Sequence, residues 1–216
     1  MKKVKKATKK EILEIHQLFV ERYSDAVTEL KYKNAYELVV VVALSAQCTD
    51  KRVNVISPAL FEKYPDTKTL ANAELDEIKS FINTCSFFNN KAKNLLAMAK
   101  RVEEVYEGEI PMNEKDLQTL GGVGQKTANV VMIEYTGANL MAVDTHVFRV
   151  SHRLGLSDDK TAIKTEATLV KKFKNNLHAL HQCMVLFGRY ICKAKNPECE
   201  RCFLTEYCKT KESFKV

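Results

Sequence analysis

At 216 residues, 45% of them hydrophobic and 28% charged, the chain can bury a real core as one domain or two intimately packed subdomains, and its composition excludes a disordered or fibrous protein. The longest apolar run, Leu38 to Leu44, falls far short of the roughly 20 residues that cross a bilayer, and no secretory apolar segment follows the lysine-rich start, so a cytoplasmic protein without a membrane partner is expected. Lys and Arg outnumber Asp and Glu by 34 to 27, and the resulting formal charge of +7 favours an anionic partner such as nucleic acid without identifying one.

In chain order, Lys2, Lys3, Lys5, Lys6, Lys9 and Lys10 form a basic stretch that runs into an amphipathic helix with Ile12, Ile15, Leu18, Phe19 and Tyr23 on one face. Residues 36–46 are apolar nearly all round. Four consecutive valines would suit a strand, but the length and the preceding Asn34 predict a buried central helix. Helical patterns follow over 51–64, 74–82, 91–106, 114–120 and 124–135, then a short apolar stretch from Leu140 to Val143 leads through Asp144 into a helix to Leu154. Residues 169–180 and 181–190 also carry helical patterns. No segment alternates with period two, and there is neither a linker-like stretch nor an internal repeat, so the fold expected is all-α.

Seven cysteines are an odd number. Four of them, Cys192, Cys199, Cys202 and Cys208, form C-x6-C-x2-C-x5-C in a region short of apolar residues. Four thiolates are what either zinc or a cubane cluster requires, so the spacing predicts a metal site and leaves the metal open. Lys193, Lys195, Arg201 and Lys209 interleave with these ligands, as a phosphate-binding face or as a merely solvated surface.

Residues 117–131, LQTLGGVGQKTANVV, put the tight glycine loop Gly121, Gly122 and Gly124 between an apolar helix end and a new helix. Glycines allow close backbone approach, and N–H groups at the start of the second helix can hold a phosphate; a plain helix-to-helix turn fits the same residues. A nucleotide-binding phosphate loop is excluded, because Gln125 interrupts the glycine-lysine pair which that motif needs. Lys126 falls in the first turn of the second helix, where the macrodipole disfavours a positive charge, either as a nucleophilic amine or as a plain exposed side chain. Asp144 stands where an apolar segment gives way to a helix, either as its N-cap or, if Thr145 caps instead, as a carboxylate free for chemistry. His146 reads as structural.

Together, LSAQCTD (44–50), LGGVGQKTANVV (120–131), AVDTHVFRV (142–150) and the cysteine array resemble the endonuclease III family in order and spacing, over essentially the whole chain. The resemblance implies a helix-hairpin-helix glycosylase fold with two helical subdomains flanking a DNA-binding cleft: residues 28–138 as a central six-helix-barrel-like subdomain, and residues 1–27 with 139–216 as an iron–sulfur subdomain. It assigns the four cysteines to a 4Fe-4S cluster, the nucleophilic lysine to Lys126 and the essential aspartate to Asp144. It gives Gln47 the role of filling the gap left by an extruded nucleotide, and Gly122 and Gly124 the role of gripping DNA.

The implied function is a monomeric base-excision enzyme that removes oxidised pyrimidines from duplex DNA and nicks the abasic strand by β-elimination through a lysine Schiff base. The alternatives are a monofunctional glycosylase for mismatched or alkylated bases, and a non-catalytic iron–sulfur DNA-binding protein. Two departures from the family pattern stand out. Gly121 replaces a proline, which should loosen the hairpin loop. Phe87 lies where the family more often has Gly-Leu-Tyr or Gly-Phe-Tyr, and serves either as a wedge between bases or as core. Cys48, Cys85 and Cys183, outside the array, are expected to be buried small hydrophobes.

Overall fold

The valine-rich segment is a helix, α2 (Ala35–Ser45), and it sits at the centre of its surroundings. Every residue from Tyr36 to Val42 is buried, as is Leu44. Each fully buried Val or Leu contributes roughly 1.5–3 kcal/mol, several times the helix-propensity deficit of a valine, which is under about 0.7 kcal/mol. Burial on all sides therefore overrides the β preference of the branched side chains. Asn34 starts the helix by accepting the Glu37 N–H at 2.9 Å.

A computed structural model describes residues 5–210, so Lys2 and Lys3 of the basic N-terminal stretch lie outside the described residues. The remaining helices are α1 (Lys9–Arg22), α3 (Asp50–Lys63), α4 (Thr67–Ala71), α5 (Leu75–Ile82), α6 (Phe88–Tyr106), α7 (Glu114–Leu117), α8 (Gln125–Thr136), α9 (Thr145–Arg153), α10 (Ala162–Phe173) and α11 (Leu177–Tyr190). There is no strand among the described residues. The chain divides into two compact units, one of residues 28–137 and one joining the N-terminal segment to everything from Ala138 onward.

In the 28–137 unit, α2 packs against α3, α6 and α8, and its core runs from Leu30 through Leu60, Ile78, Leu95 and Met98 to Val131. In the other unit, α11 packs against α1 and α9. Phe19, Phe187 and Phe203 meet edge to face there, with ring centroids 5.3–5.9 Å apart. The α1 face expected from the sequence is the one that packs: Ile15 and Phe19 are fully buried, with Ile12, Leu18 and Tyr23 against them.

Several boundaries differ from the sequence pattern. The helical pattern over 169–180 is interrupted: α10 begins at Ala162, capped by Thr161, and ends at Phe173, and α11 starts at Leu177. The break lies at Lys174 and Asn176, both at positive φ. It is clamped by Asn139, whose amide donates to the Lys174 carbonyl and whose oxygen accepts the Leu177 N–H. A partner 35 or more residues away leaves no local trace. Helix α7 stops at Leu117 rather than Leu120, α6 begins at Phe88 rather than Lys91, and the short α4, started by an Asp66 capping box, was not expected.

Candidate functional site

In the 28–137 unit, the glycine loop connects α7 to α8 and is anchored from below by Leu117, Leu120 and Val123, all buried. Gly122 takes φ +78, a left-handed conformation that suits glycine. At Gly121 the reason for glycine is space: a Cβ there would lie 2.6 Å from the Asn94 carbonyl oxygen and 3.0 Å from the Met98 nitrogen. The glycine lets the loop seat directly on α6. Helix α8 then starts at Gly124 with no side chain capping it, which leaves first-turn N–H groups for a ligand. Gly122, Gly124 and Lys126 are all exposed.

Gln47 and Phe87 belong to the same unit and share an unusual backbone. Gln47, in the turn after α2, has φ 56; Phe87, at the N-cap of α6, has φ 59. Left-handed conformations at non-glycine residues are uncommon and collect at functional sites. Gln47 is exposed and does not cap α2, the plain structural role open to it. Phe87 is 69% exposed, so the reading of it as core is wrong; its neighbour Phe88 turns inward against the core instead. The sequence pattern offered no sign of Lys91, a buried residue on α6 whose ammonium donates to the Leu44 carbonyl at 2.7 Å. It ties the first turn of α6 to the last turn of α2, next to the loops that carry Phe87 and Gln47.

In the other unit, Asp144 is itself the N-cap of α9: its Oδ1 accepts the Val147 N–H at 2.7 Å. Thr145 is the first helical residue, so it does not relieve Asp144 of capping. The carboxylate is half-buried, and no described residue donates a hydrogen bond to its Oδ2. His146 is structural, with Nδ1 on the Arg149 guanidinium and its Cβ so near Gly188 that a side chain there would collide.

Helix α9 also holds the cysteine loop. Arg149 Nε donates to the Cys192 carbonyl at 2.8 Å, and Arg153 donates to the Lys193 carbonyl at 2.7 Å and to the Cys192 sulfur at 3.2 Å. Cys192, Cys199, Cys202 and Cys208 line one cavity together with Arg153 and Thr205. Among the described residues, no three His, Cys, Asp or Glu side chains converge as a single ion requires. Four thiols spread around a void suit a multi-atom cluster better than one tetrahedral zinc, whose sulfurs would sit about 2.3 Å from a common point. Burial pushes the Cys192 and Cys202 thiols up, with the arginine partly opposing this at Cys192. A bound metal would override that burial by taking the sulfurs as thiolates.

The four basic residues of this loop meet two carboxylates among the described residues, so the face stays net positive. Lys193 and Arg201 both pair with Glu198, and Lys209 pairs with Glu11 at 2.5 Å. Of the four, Lys195 alone makes no ion pair with a described residue.

Residues 40–175 match the model of the HhH-GPD superfamily of base excision DNA repair proteins. Residues 192–208, from the first array cysteine to the last, match the iron–sulfur binding domain of endonuclease III. The chain belongs to the endonuclease III family. It is 42% identical to endonuclease III of Rickettsia felis over 90% of this chain and 92% of that one. Against the Bacillus subtilis endonuclease III the identity is also 42%, over 88% and 87%. A solved structure of a trapped endonuclease III–DNA covalent intermediate superposes with a TM-score of 0.92 at 38% identity, covering 97% of this chain and all of that one. This endonuclease III family member is accordingly a base excision repair DNA glycosylase and abasic-site lyase, and its cofactor is a 4Fe-4S cluster, not zinc. None of its described helices is long and apolar enough to cross a membrane.

Proposed function

We propose that Lys126 is the nucleophile of this enzyme and Asp144 the carboxylate that assists it. The observation that carries the reading is an exposed lysine in the first turn of an uncapped helix, directly after a glycine hairpin. An amine there lies beside N–H groups suited to a DNA phosphate.

The substrate is duplex DNA carrying an oxidised pyrimidine or an abasic site, and the damaged nucleotide is flipped out of the stack. The neutral Lys126 amine forms an N–C1′ bond as the C1′–base bond breaks, and the departing base takes a proton from water. Asp144 Oδ2, to which no described residue donates, takes the lysine proton and offsets the positive charge that builds on the sugar. Opening of the sugar ring gives an imine, which acidifies the C2′ proton. Loss of that proton and expulsion of the 3′ phosphate nick the strand.

Gly122 and Gly124 grip the backbone through their N–H groups. Gln47 fills the gap left by the extruded nucleotide, and Phe87 wedges beside it. Cys192, Cys199, Cys202 and Cys208 ligate the cluster. When bound, the cluster supplies a covalent staple for a loop with little apolar burial of its own, and Arg149 and Arg153 hold the first ligand segment against α9. The protein works as a monomer in the cytoplasm, on nucleoid DNA.

A panel of oxidised, alkylated, mismatched and abasic duplexes, scored separately for base release and for nicking, tests this reading. Release and nicking of oxidised pyrimidines in step are expected. Release without nicking would mean a monofunctional enzyme, and binding without release would remove the catalytic assignment.

A further inference from the structure

Cys48 and Cys85 were expected to be buried small hydrophobes; Cys85 is buried and Cys48 partly so, and the fold brings their sulfurs to 3.3 Å. Each closes the turn that ends a helix: the Cys48 N–H donates to the Ser45 carbonyl after α2, and the Cys85 N–H donates to the Ile82 carbonyl after α5. Cys48 immediately follows Gln47, and Cys85 is two residues before Phe87. The thiol pair therefore joins the Gln47 and Phe87 turns, both left-handed at an exposed side chain. The third cysteine outside the array, Cys183, is buried, and among the described residues its sulfur meets a backbone carbonyl, that of Tyr23, and no second thiol.

We propose that Cys48 and Cys85 form a reversible disulfide, made by exchange with a small-molecule disulfide, that switches off lesion engagement by fixing the Gln47 and Phe87 turns to each other. The functional half of this inference rests on the roles given above to Gln47 and Phe87; the bond itself does not.

The order of events follows from exposure. Cys48 is half-buried and reachable, whereas Cys85 is 3% exposed and its thiol is pushed up to about 11 by burial and by Cys48. Cys48 is the attacking thiolate. It displaces one thiol from the small disulfide, giving a mixed disulfide on Cys48. Cys85 gives up its proton to water, attacks the Cys48 sulfur and expels the second thiol. Two protein thiols and one small disulfide become one protein disulfide and two small thiols. Arg52 and Lys91 place positive charge near the pair, favouring the thiolate on Cys85 at that step.

Closing the sulfurs from 3.3 Å to the roughly 2.05 Å of a disulfide draws the turns together. A misplacement of about 1 Å in positioning groups can cost on the order of a hundredfold in rate. In a reducing compartment the pair rests as thiols and the enzyme is active.

The test uses holoenzyme, with the brown cluster colour followed throughout. Protein is equilibrated with oxidised glutathione, alkylated and digested. A Cys48–Cys85 cross-linked peptide is expected, with base excision at least tenfold slower and recovering with dithiothreitol. Cys48→Ser and Cys85→Ala should each keep the reduced enzyme's activity and lose the glutathione effect. No cross-linked peptide under conditions that fully oxidise a small dithiol overturns the site. A cross-link with unchanged excision overturns the switch. Gln47→Ala, assayed reduced, tests the engagement role separately, so failure of one does not mimic failure of the other.

Discussion

Helices α8 and α9 begin in opposite ways. Helix α8 starts on Gly124, which has no side chain to cap it, and an exposed lysine follows two residues later. Helix α9 starts on Asp144, whose own carboxylate closes the turn by accepting the Val147 N–H. An open helix start leaves N–H dipoles looking for an anion. A closed one spends a carboxylate oxygen on structure and pins the other in a fixed direction. The first arrangement suits gripping a phosphate and presenting an amine; the second suits holding one charged oxygen steady. With the roles proposed for Lys126 and Asp144, stability and function are separate at α8 and shared at α9.

The largest effect expected from this contrast is at Lys126. Lys126→Ala should lower both base release and nicking on the order of a thousandfold or more, while leaving the melting temperature unchanged, since the side chain is exposed. Lys126→Arg should not rescue, because a guanidinium does not yield a neutral amine.

At Asp144 the two roles can be pulled apart. Asparagine caps as well as aspartate, so Asp144→Asn should cut the rate by about 10²–10⁴ with little loss of stability. Asp144→Ala should add a loss of about 1 kcal/mol, read as roughly 2–4 °C in melting temperature. Equal destabilisation by both variants would show that the cap is not what the carboxylate contributes.

The last turns of α8 give a pH signature. Glu134 is pushed up from 4.5 to about 7 by burial, opposed by a backbone hydrogen bond from Thr28. The folded protein thus keeps a proton that the unfolded chain has released. The stability that Glu134 contributes is fullest below about pH 4.5 and is lost as pH rises through about 7. Glu134→Gln should flatten this slope in melting curves taken across that range; an unchanged slope would assign it to other groups.

The smallest effect comes from closing the open end. A side chain at Gly124 meets nothing within 4 Å, and its φ of −89 suits any residue. Gly124→Asp should therefore stabilise by a few tenths of a kcal/mol while weakening affinity for an abasic duplex severalfold. Gain in both would refute the phosphate role of this helix start.

What the sequence disclosed divides along physical lines. Apolar periodicity revealed α1 and, against the valines' own preference, α2, because burial dominates there. It missed the break at 174–176, which is set by Asn139 from a different segment. The metal site was legible from four cysteines alone, since thiolates in a polar loop have few other uses, but its metal required the family match over 192–208. Exposure of Phe87 and the clasp of Lys91 on α2 were illegible, because aromatic and lysine positions carry no local mark of where the chain folds them. The Cys48–Cys85 pair is of the same kind: 37 residues separate partners that only the fold brings together.

The central claim is that one amine, on the open helix start, bonds to the sugar. Borohydride reduction during reaction with a duplex containing an oxidised pyrimidine, followed by digestion and mass spectrometry of the adduct, tests it directly. The account predicts a covalent DNA adduct on Lys126 that is lost in Lys126→Ala. An adduct mapped to another residue, or undiminished trapping by Lys126→Ala, would contradict it.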